Sequence, residues 1–258
     1  MYIHSTFQFA NKNETASYYK KLLKEINTIN LRRSNKFDVL AVYGACNCML
    51  NQNYEEILNI YLASEYGVIS GILKVLSTLD NKDNIIMPFD FLNTNGNNAG
   101  FNISSALKTK GESILINSNN FSFEQSLKYA YFKANRQNNF ETIIGAIDES
   151  LDQIENINNI LDTKTNNTKD SVSFIYCNNN KENAIAEIKD IKEFSSKYSL
   201  NEYINHHKDY NIIIYKENNL SPSTQTASDL INNLKLNSNF ILVKYTKVSN
   251  FIIKVDFI

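Results

Sequence analysis

The apolar positions of this chain fall into short runs that follow two different spacings. Tyr2 to Phe9 alternates apolar and polar residues closely enough to predict a first strand. Phe37 to Leu50 keeps a continuous apolar face without proline, which predicts a buried helix. Runs of both kinds then follow one another to the end of the sequence. This order predicts an α/β fold in which helices cover a buried sheet.

The remaining predicted elements are short. The pattern predicts strands at residues 57–63, 113–118, 141–147, 171–177, 211–215, 240–245 and 251–257. It predicts helices at residues 13–24, 67–79, 98–107, 121–134, 200–208 and 224–234, with a short turn or helix at 87–91. Residues 184–194 are ambiguous, because their apolar positions recur every three residues, which suits a helix: Ile185, Ile188, Ile191 and Phe194.

The elements divide into a longer first set and a shorter second set that ends in paired strands. A polar, asparagine-rich stretch lies between them. We predict one domain over residues 1–258, with a first half at 1–150, a polar excursion at 151–170 and a reduced second half at 171–258. The two halves are expected to share one core.

The charge and the apolar content narrow the function classes. Charged residues make up 21% of the chain, and the formal net charge is -1. Since no basic stripe is present, we expect neither a nucleic-acid partner nor binding to an anionic membrane surface. No run approaches the ~18 apolar residues of a membrane span. The N-terminal residues show no signal-peptide pattern, and a cytoplasmic protein is therefore expected.

The cysteines do not suggest a metal or redox site. There are three of them, an odd number that gives no disulfide framework. Cys46 and Cys48 form a C-x-C pair in an apolar stretch, without the further ligands that zinc requires. We interpret them, with Cys177, as small buried residues, and we expect no metal and no cofactor.

Two adjoining segments stand out from this generic pattern. The first runs from Ile86 to Gly111 and the second from Glu112 to Leu127. Together they resemble the nucleophile region of the β-ketoacyl synthases, where "S-P-x-x-F" leads through "N-x-x-x-G" and a small-residue helix to "G-P-S" and then to "T-A-C-x-S". The matching positions are Pro88, Phe91, Asn98, Gly100, Gly111 and Ser113, followed by Ser118, Asn119 and Asn120.

Four further pieces occur in the order of that family. Leu31-Arg32-Arg33-Ser34 resembles its "R-R-x-S" entry into a helix, and Ala63 to Gly67 resembles the "a-S-r-y-G" turn of a short, ketosynthase-like branch. Ser122-Phe123-Glu124 resembles the "s-F-E" that follows the lost cysteine in that branch, and Ile143 to Glu149 resembles a strand that ends in an acidic pair. The resemblance implies a thiolase-like layered fold of helices and mixed sheets with a shortened second half. It also places a strand at the ambiguous residues 184–194.

Ketosynthase chemistry is not expected of this chain. Asn120 stands where the family has its cysteine, and a carboxamide has no ionisable nucleophile near neutral pH. The family's histidine motifs, "H-G-T-G-T" and "G-H", are absent. His4 belongs to the first strand, whereas His206 and His207 lie on a polar helix, where we interpret them as solvent-facing. We therefore expect a pseudoenzyme, which is not a catalyst by itself.

The resemblance implies a non-catalytic subunit that pairs with an active β-ketoacyl synthase and shapes its acyl tunnel, as a chain-length factor does. The expected setting is fatty-acid or polyketide-type biosynthesis, of the aryl polyene or resorcinol lipid kind, with an acyl carrier protein as a further partner. The residues expected to face the tunnel or the partner are Tyr66, Ile69, Ile72 and Phe121. The strand expected at the interface carries Ser113, Leu115 and Asn117.

Two alternatives remain open at this point. In the first alternative, the chain is a stand-alone homodimeric scaffold that binds acyl chains or acyl carrier protein through a fold with a self-complementary interface. In the second alternative, it is an acyltransferase or hydrolase with a substitute serine nucleophile, Ser118 or Ser122. A serine needs an activating base, and capping of the helix that begins at residue 121 is the simpler role for both.

Overall fold

The structure is a computed structural model that describes residues 1–80, 85–118, 120–152, 169–216, 219–246 and 249–258. The described residues form nine strands: β1 Tyr2–Lys12, β2 Asn59–Ala63, β3 Ser113–Ile116, β4 Glu141–Asp148, β5 Lys169–Asn178, β6 Ala186–Phe194, β7 Asn211–Ile214, β8 Phe240–Tyr245 and β9 Asn250–Phe257. They also form eight helices: α1 Ala16–Lys24, α2 Lys36–Cys48, α3 Ile69–Asp80, α4 Pro88–Leu92, α5 Asn97–Leu107, α6 Ser122–Ala134, α7 Lys197–Asn205 and α8 Pro222–Leu234. The predicted α/β class is confirmed.

The strands belong to one mixed sheet in the order β3-β2-β4-β5-β1-β6-β9-β8-β7. β2 is parallel to β3 and β4, while β5 is antiparallel to β4 and β1. In the second half, β9 is antiparallel to β6 and β8, and β8 is parallel to β7. The second half thus repeats the first with one strand fewer. β7 corresponds to β2, but no described strand pairs with β7 as β3 pairs with β2.

Five layers follow from the burial of alternate residues. On β2, Tyr61 belongs to the central core with α6 and α8, whereas Ile60 belongs to an outer core with α2 and α5. On β8, Leu242 faces the same central core, whereas Ile241 faces α7 on the opposite side. Two helices, α6 and α8, therefore lie between the halves of the sheet, and the other helices cover its outer faces.

The buried helices begin at polar caps. Asn35 caps α2 by accepting the N–H of Asp38 at 2.7 Å, and Ser221 caps α8, whose first residue is Pro222. Ten of the 13 residues of α2 are buried, which explains why its sequence is apolar on every side. Among the helices of the described ranges, none has both the length and the apolar character that a membrane crossing requires.

Residues 184–194 contain a strand, β6, and the helical alternative for this segment is wrong. The pairing of β6 with β9 shifts between Ile188 and Asp190, where the chain forms a β-bulge. Because of the extra residue, Ile188 and Ile191 both point into the core although they are three residues apart. A three-residue spacing therefore reflects the bulge. The predicted division into halves stays a prediction, and most of the predicted excursion at 151–170 lies outside the described residues.

One buried carboxyl of the fold makes its stability depend on pH. Asp38, in the first turn of α2, is 1% exposed and its Oδ1 has no hydrogen-bond partner among the described residues. Burial and, to a smaller extent, the charge of Glu149 raise the pKa of Asp38 to about 7. The folded state therefore binds more protons than the unfolded state between pH ~4 and ~7. The contribution of Asp38 to stability is present at low pH and is lost as the pH rises through 7.

We expect Asp38→Asn to be more stable than the native chain at pH 8, by on the order of 1–3 kcal/mol, because the buried charge is removed. The gain is expected to vanish near pH 4. Urea unfolding at both pH values measures it, with exposed Asp80→Asn as the matched control. A gain of equal size at both pH values contradicts the assignment.

Candidate functional site

The turn between β3 and α6 holds Asn120 in a left-handed conformation, with φ of 69°. Asparagine tolerates this region better than most residues, because its short polar side chain meets little steric conflict there. The N–H of Phe121 donates to the carbonyl of Ser118 at 2.8 Å, and the N–H of Ser118 donates to Ser122 Oγ at 2.9 Å. The chain thus reverses sharply from strand to helix, with Asn120 exposed at the apex. Asn119 lies outside the described residues.

A carboxylate occupies the inner side of this turn. The N–H of Asn120 donates to Glu65 Oε1, and Ser223 Oγ donates to Glu65 Oε2 at 3.0 Å. Burial raises the pKa of Glu65, while these two donors and the charge of Lys244 act in the opposite direction. Since α6 begins directly after the turn, the carboxylate lies where a helix N-terminus favours a negative charge.

Asp148, at the end of β4, holds the loop that carries Glu65. Ser64 Oγ donates to Asp148 Oδ1 at 2.6 Å, and the N–H groups of Glu65 and Tyr66 donate at 3.0 and 3.2 Å. The hydroxyl of Ser221 donates to the other oxygen. Burial raises the pKa of Asp148 to about 7 against the pull of these donors. A single carboxyl therefore joins the loop after β2 to the start of α8.

The same loop turns through Gly67, whose φ of 64° is unfavourable for most other residues. The N–H of Gly67 donates to Ser64 Oγ at 2.8 Å. Glu149 then accepts from both the hydroxyl and the N–H of Ser70, at 2.8 and 3.1 Å, in the first turn of α3. The acidic pair after β4 is therefore structural, because its two carboxyls fix the beginning of α3 and the turn before it.

A buried ion pair lies beneath the turn. Lys244 Nζ is 2.8 Å from Glu124 Oε1, and the two side chains are 3% and 1% exposed. Thr226 Oγ1 donates to Glu124 Oε1 at 2.8 Å. Lys244 also lies 5.5 Å from the ring centre of Phe121. Glu124 Oε2 has no partner among the described residues. The pair joins α6, α8 and β8 in the central layer.

Among the described residues of the site, no nucleophile has an activating base. Ser122 is fully buried and accepts from the turn itself. The histidines make their hydrogen bonds elsewhere, since His4 contacts the carbonyl of Asn180, and His206 and His207 contact carbonyls of their own helix. What the geometry provides is a closed turn whose exposed apex residue cannot ionise.

The three cysteines offer neither a reactive thiol nor a metal site among the described residues. Cys46, Cys48 and Cys177 are buried and free. Burial raises the pKa of Cys46 and of Cys48 to about 12, so neither thiol is reactive near neutral pH. In the described ranges, no group of three or more His, Cys, Asp or Glu side chains is arranged to hold a metal ion.

The residues predicted to face a tunnel or partner lie on two sides of the turn. Phe121 is buried and packs on Phe251 at 5.6 Å between ring centres. Tyr66 and Ile69 are half-buried at the start of α3, and Ile72 is 41% exposed on its surface. These positions are compatible with both packing and partner contact, and their functional role stays a prediction.

The strand predicted at the interface is an edge of the sheet. β3 pairs with β2 on one side and with no described strand on the other. Ser113 and Asn117 are exposed, and Leu115 packs against Gly96 of the segment that leads into α5. Gly111 allows the approach of β3, because a Cβ there would lie 2.1 Å from the carbonyl oxygen of Leu58. Whether β3 binds a partner stays a prediction.

The segment from α3 to α5, which precedes β3 in the chain, exposes many apolar side chains. Of nineteen exposed large apolar side chains among the described residues, ten lie between positions 72 and 101. We name them the α3–α5 surface: Ile72, Leu73, Leu76, Leu79, Ile85, Met87, Phe89, Phe91, Leu92 and Phe101. Gly71 is the one buried residue of α3. A helix this apolar normally buries one face, so this surface indicates an interaction site.

A basic groove of about 670 Å³ borders the α3–α5 surface. Arg32, Arg33, Lys36 and Lys74 line it, together with Met87 and Phe89. The guanidinium of Arg33 lies 4.1 Å from the ring centre of Phe89, and neither arginine forms an ion pair among the described residues. Such a groove fits an acidic partner.

Sequence reasoning missed the network beneath the turn. Glu65 and Asp148 were noted only as parts of matching motifs, and Lys244 was not singled out. A signal for Lys244 existed, because it is the one charged residue in the apolar strand Phe240–Tyr245. A lysine at a core-facing strand position implies a buried partner. That the partner is Glu124 depends on contacts between distant elements.

Comparison with known proteins rests on structure. No protein-family model matches the sequence, and no curated protein matches it. Among solved structures, the chain is similar to one from "Ketosynthase (ApeO) in Complex with its Chain Length Factor (ApeC) from Xenorhabdus doucetiae", with 14% identity, coverage of 98% of this chain and 99% of the other, and a TM-score of 0.64.

Two further structures agree. A chain of "AntDE:AntF (apo): type II PKS acyl-carrier protein in complex with its ketosynthase bound to the hexaketide" has 10% identity, 100% and 99% coverage and a TM-score of 0.73. A β-ketoacyl synthase from Burkholderia phymatum has 8% identity, 100% and 99% coverage and a TM-score of 0.72. Over its full length, the chain therefore has the thiolase-like fold seen in ketosynthases and in their complexes with chain length factors.

Proposed function

We propose that this chain is a non-catalytic ketosynthase-like subunit that pairs with an active β-ketoacyl synthase and shapes its acyl tunnel. The observation that carries the proposal is the α3–α5 surface beside the free edge of β3. A concentration of exposed leucine, isoleucine and phenylalanine side chains within thirty residues is costly in water and is typical of a protein interface. A free strand edge next to it offers main-chain hydrogen bonds to the same partner.

The partner's identity is proposed from the structural neighbours. One of these neighbours is a complex of a ketosynthase with its chain length factor. The closed turn at Asn120 supports a subunit without its own acyl transfer, since the apex residue has no thiol. In this proposal, the bulky side chains of Tyr66, Ile69 and Ile72 limit the length of the acyl chain by volume.

The acyl carrier protein is part of the same proposal. The basic groove lined by Arg32 and Arg33 has unpaired guanidinium groups, and it borders the surface on which the ketosynthase is proposed to bind. An acidic carrier protein is therefore the expected occupant, because its carboxylates would pair with these groups. The setting proposed is fatty-acid or polyketide-type biosynthesis, and aryl polyene or resorcinol-type lipids are the products to test.

Co-expression with an active β-ketoacyl synthase tests the proposal. We expect the native chain to co-purify as a stable heterodimer, and we expect Leu76→Glu/Phe91→Glu to weaken the complex at least tenfold, because two charges enter an apolar interface. Exposed Leu236→Glu, distant from this surface, is the matched control and should bind normally.

Product analysis by mass spectrometry completes the test, since the length of the acyl product should change when the chain is left out. Absence of a complex, with unchanged product length, rules the proposal out. A homodimer that binds carrier protein and ignores the ketosynthase would favour the stand-alone scaffold instead.

A further inference from the structure

β7 forms the edge of the sheet opposite β3, and no described strand pairs with its outer side. The N–H of Asn211 donates to the carbonyl of Asn239 at 3.1 Å, and the N–H of Tyr215 donates to Val243 at 2.8 Å. Because main-chain groups alternate in direction along a strand, those of Ile213 face β8 too. The N–H and C=O groups of Ile212 and Ile214 therefore face outward, where the described chain provides no strand.

Apart from its shortness, with four residues, this edge has none of the usual protections in the described ranges. The sequence Asn211-Ile-Ile-Ile contains no charge and no proline, and Ile212 and Ile214 are 37% and 51% exposed. Native proteins protect a free edge with charged residues, proline, a bulge or a covering segment. The corresponding edge of β2 is covered by β3. An uncharged, apolar edge without such cover indicates that another chain pairs with it.

A groove beside β7 carries polar groups without partners. Its volume is about 630 Å³, and it lies between β7 and α8. Gln225 is 5% exposed, and its Oε1 has no hydrogen-bond partner among the described residues. Asp229 accepts from Gln225 Nε2 at 2.6 Å, yet neither Asp229 nor Lys216 takes part in an ion pair in the described ranges. One unpaired cation and one unpaired anion thus line the same groove.

We propose that β7 pairs with β7 of a second copy of this chain, antiparallel and centred on Ile213. In this register Ile212 of one copy lies opposite Ile214 of the other. Four main-chain hydrogen bonds form, because both residues present an outward N–H and C=O. The exposed isoleucine side chains then face each other in cross-strand pairs. The interface is two-fold and closed, so it ends at a dimer.

The charges of the groove fit the same arrangement. The N-terminal end of β7 lies near the C-terminal end of α8, since only residues 235–239 connect α8 to the parallel neighbour β8. An antiparallel second copy brings its Lys216 to that end, beside Asp229 and Asn233. Each copy thereby provides a cation that pairs with Asp229 of the other copy.

The proposed ketosynthase interface is independent of this one, because β3 and β7 are opposite edges of the nine-stranded sheet. Two copies joined at β7 leave both β3 edges free. The two proposals can therefore fail separately, and β7 pairing predicts a complex with two copies of each subunit.

Analytical ultracentrifugation of the purified full chain tests β7 pairing. We expect a dimer at micromolar concentration, with twice the 29.6 kDa of one chain. Ile214→Pro removes one outward N–H and leaves the bonds to β8 in place. It is expected to weaken dimerisation at least tenfold. Lys216→Glu is expected to weaken it too, and Lys216→Glu/Asp229→Lys to restore it.

Exposed Ile57→Lys, which lies at neither edge, is the control and should remain dimeric. Far-UV circular dichroism checks the fold of each variant. If Ile214→Pro does not fold, amide hydrogen exchange of the native chain replaces it, with Ile212 and Ile214 protected at high concentration and exchanging on dilution. A monomeric native chain overturns the proposal, and so does a dimer that survives Ile214→Pro but dissociates in Leu115→Lys on β3.

Discussion

Exchange of Lys244 for methionine is expected to lower the free energy of unfolding by about 3–5 kcal/mol. Lys244 is the cation that offsets the buried charge of Glu124, and both side chains are almost fully enclosed. Methionine retains most of the apolar stem beside Phe121 but has no charge and no donor. Glu124 then keeps only the hydrogen bond from Thr226, and an uncompensated carboxylate in the core is strongly destabilising.

Urea unfolding at constant pH measures this effect. The matched control is Lys128→Met, since Lys128 pairs with Glu193 at 3.2 Å while both side chains are well exposed. That exchange should change stability by less than about 1 kcal/mol. The double variant Lys244→Met/Glu124→Gln should recover most of the loss, because a neutral amide replaces the unpaired carboxylate. If both lysine variants lose a similar free energy of unfolding, the buried pair stabilises the fold no more than the exposed pair does.

A cysteine placed at the apex of the turn is not expected to form a reactive thiolate. In Asn120→Cys, the carboxylate of Glu65 still accepts the N–H of the same residue, and a nearby negative charge raises the pKa of a thiol. We expect Glu65→Gln, added to Asn120→Cys, to increase the rate of alkylation by iodoacetamide roughly tenfold at pH 7, as one pKa unit would do. In this view Asn120 and Glu65 together keep the turn unreactive.

The rate is followed by mass spectrometry, and the three native cysteines contribute little because they are buried. Asn237→Cys is the matched control, since Asn237 is also exposed and left-handed, with φ of 52°. Glu65→Gln should leave its alkylation rate unchanged. If Asn120→Cys alone reacts as fast as the double variant, Glu65 does not protect the turn.

These two expectations have a common physical origin. In the described residues, the place where the resemblance puts a reactive centre is filled by carboxylates that already have partners: Glu65, Glu124 and Asp148. Each joins elements of the first half to elements of the second. A site of this kind stabilises the central layer, whereas a catalytic site keeps polar groups free for substrate. The closed site and the open α3–α5 surface together favour a subunit that acts through its partner.

The sequence determined much of the architecture. Alternating apolar runs predicted nearly every element, because burial on one or both faces imposes a period on strands and helices alike. The ordered motifs from Leu31 to Glu149 indicated the fold, which the structural neighbours confirm. These inferences succeeded because each depends on neighbouring residues.

The tertiary structure alone decided the rest. The register shift that explains the three-residue spacing in residues 186–194 arises where β6 pairs with β9, and the bare edge of β7 becomes visible only when both halves of the sheet are compared. Lys244 and Glu124 are 120 residues apart along the chain, and Glu65 meets Ser223 across a still longer separation. Charges so distant in sequence find each other only when packing brings their strands and helices together. The sequence by itself therefore determined the order of the elements, and the fold decided which distant side chains meet at the turn.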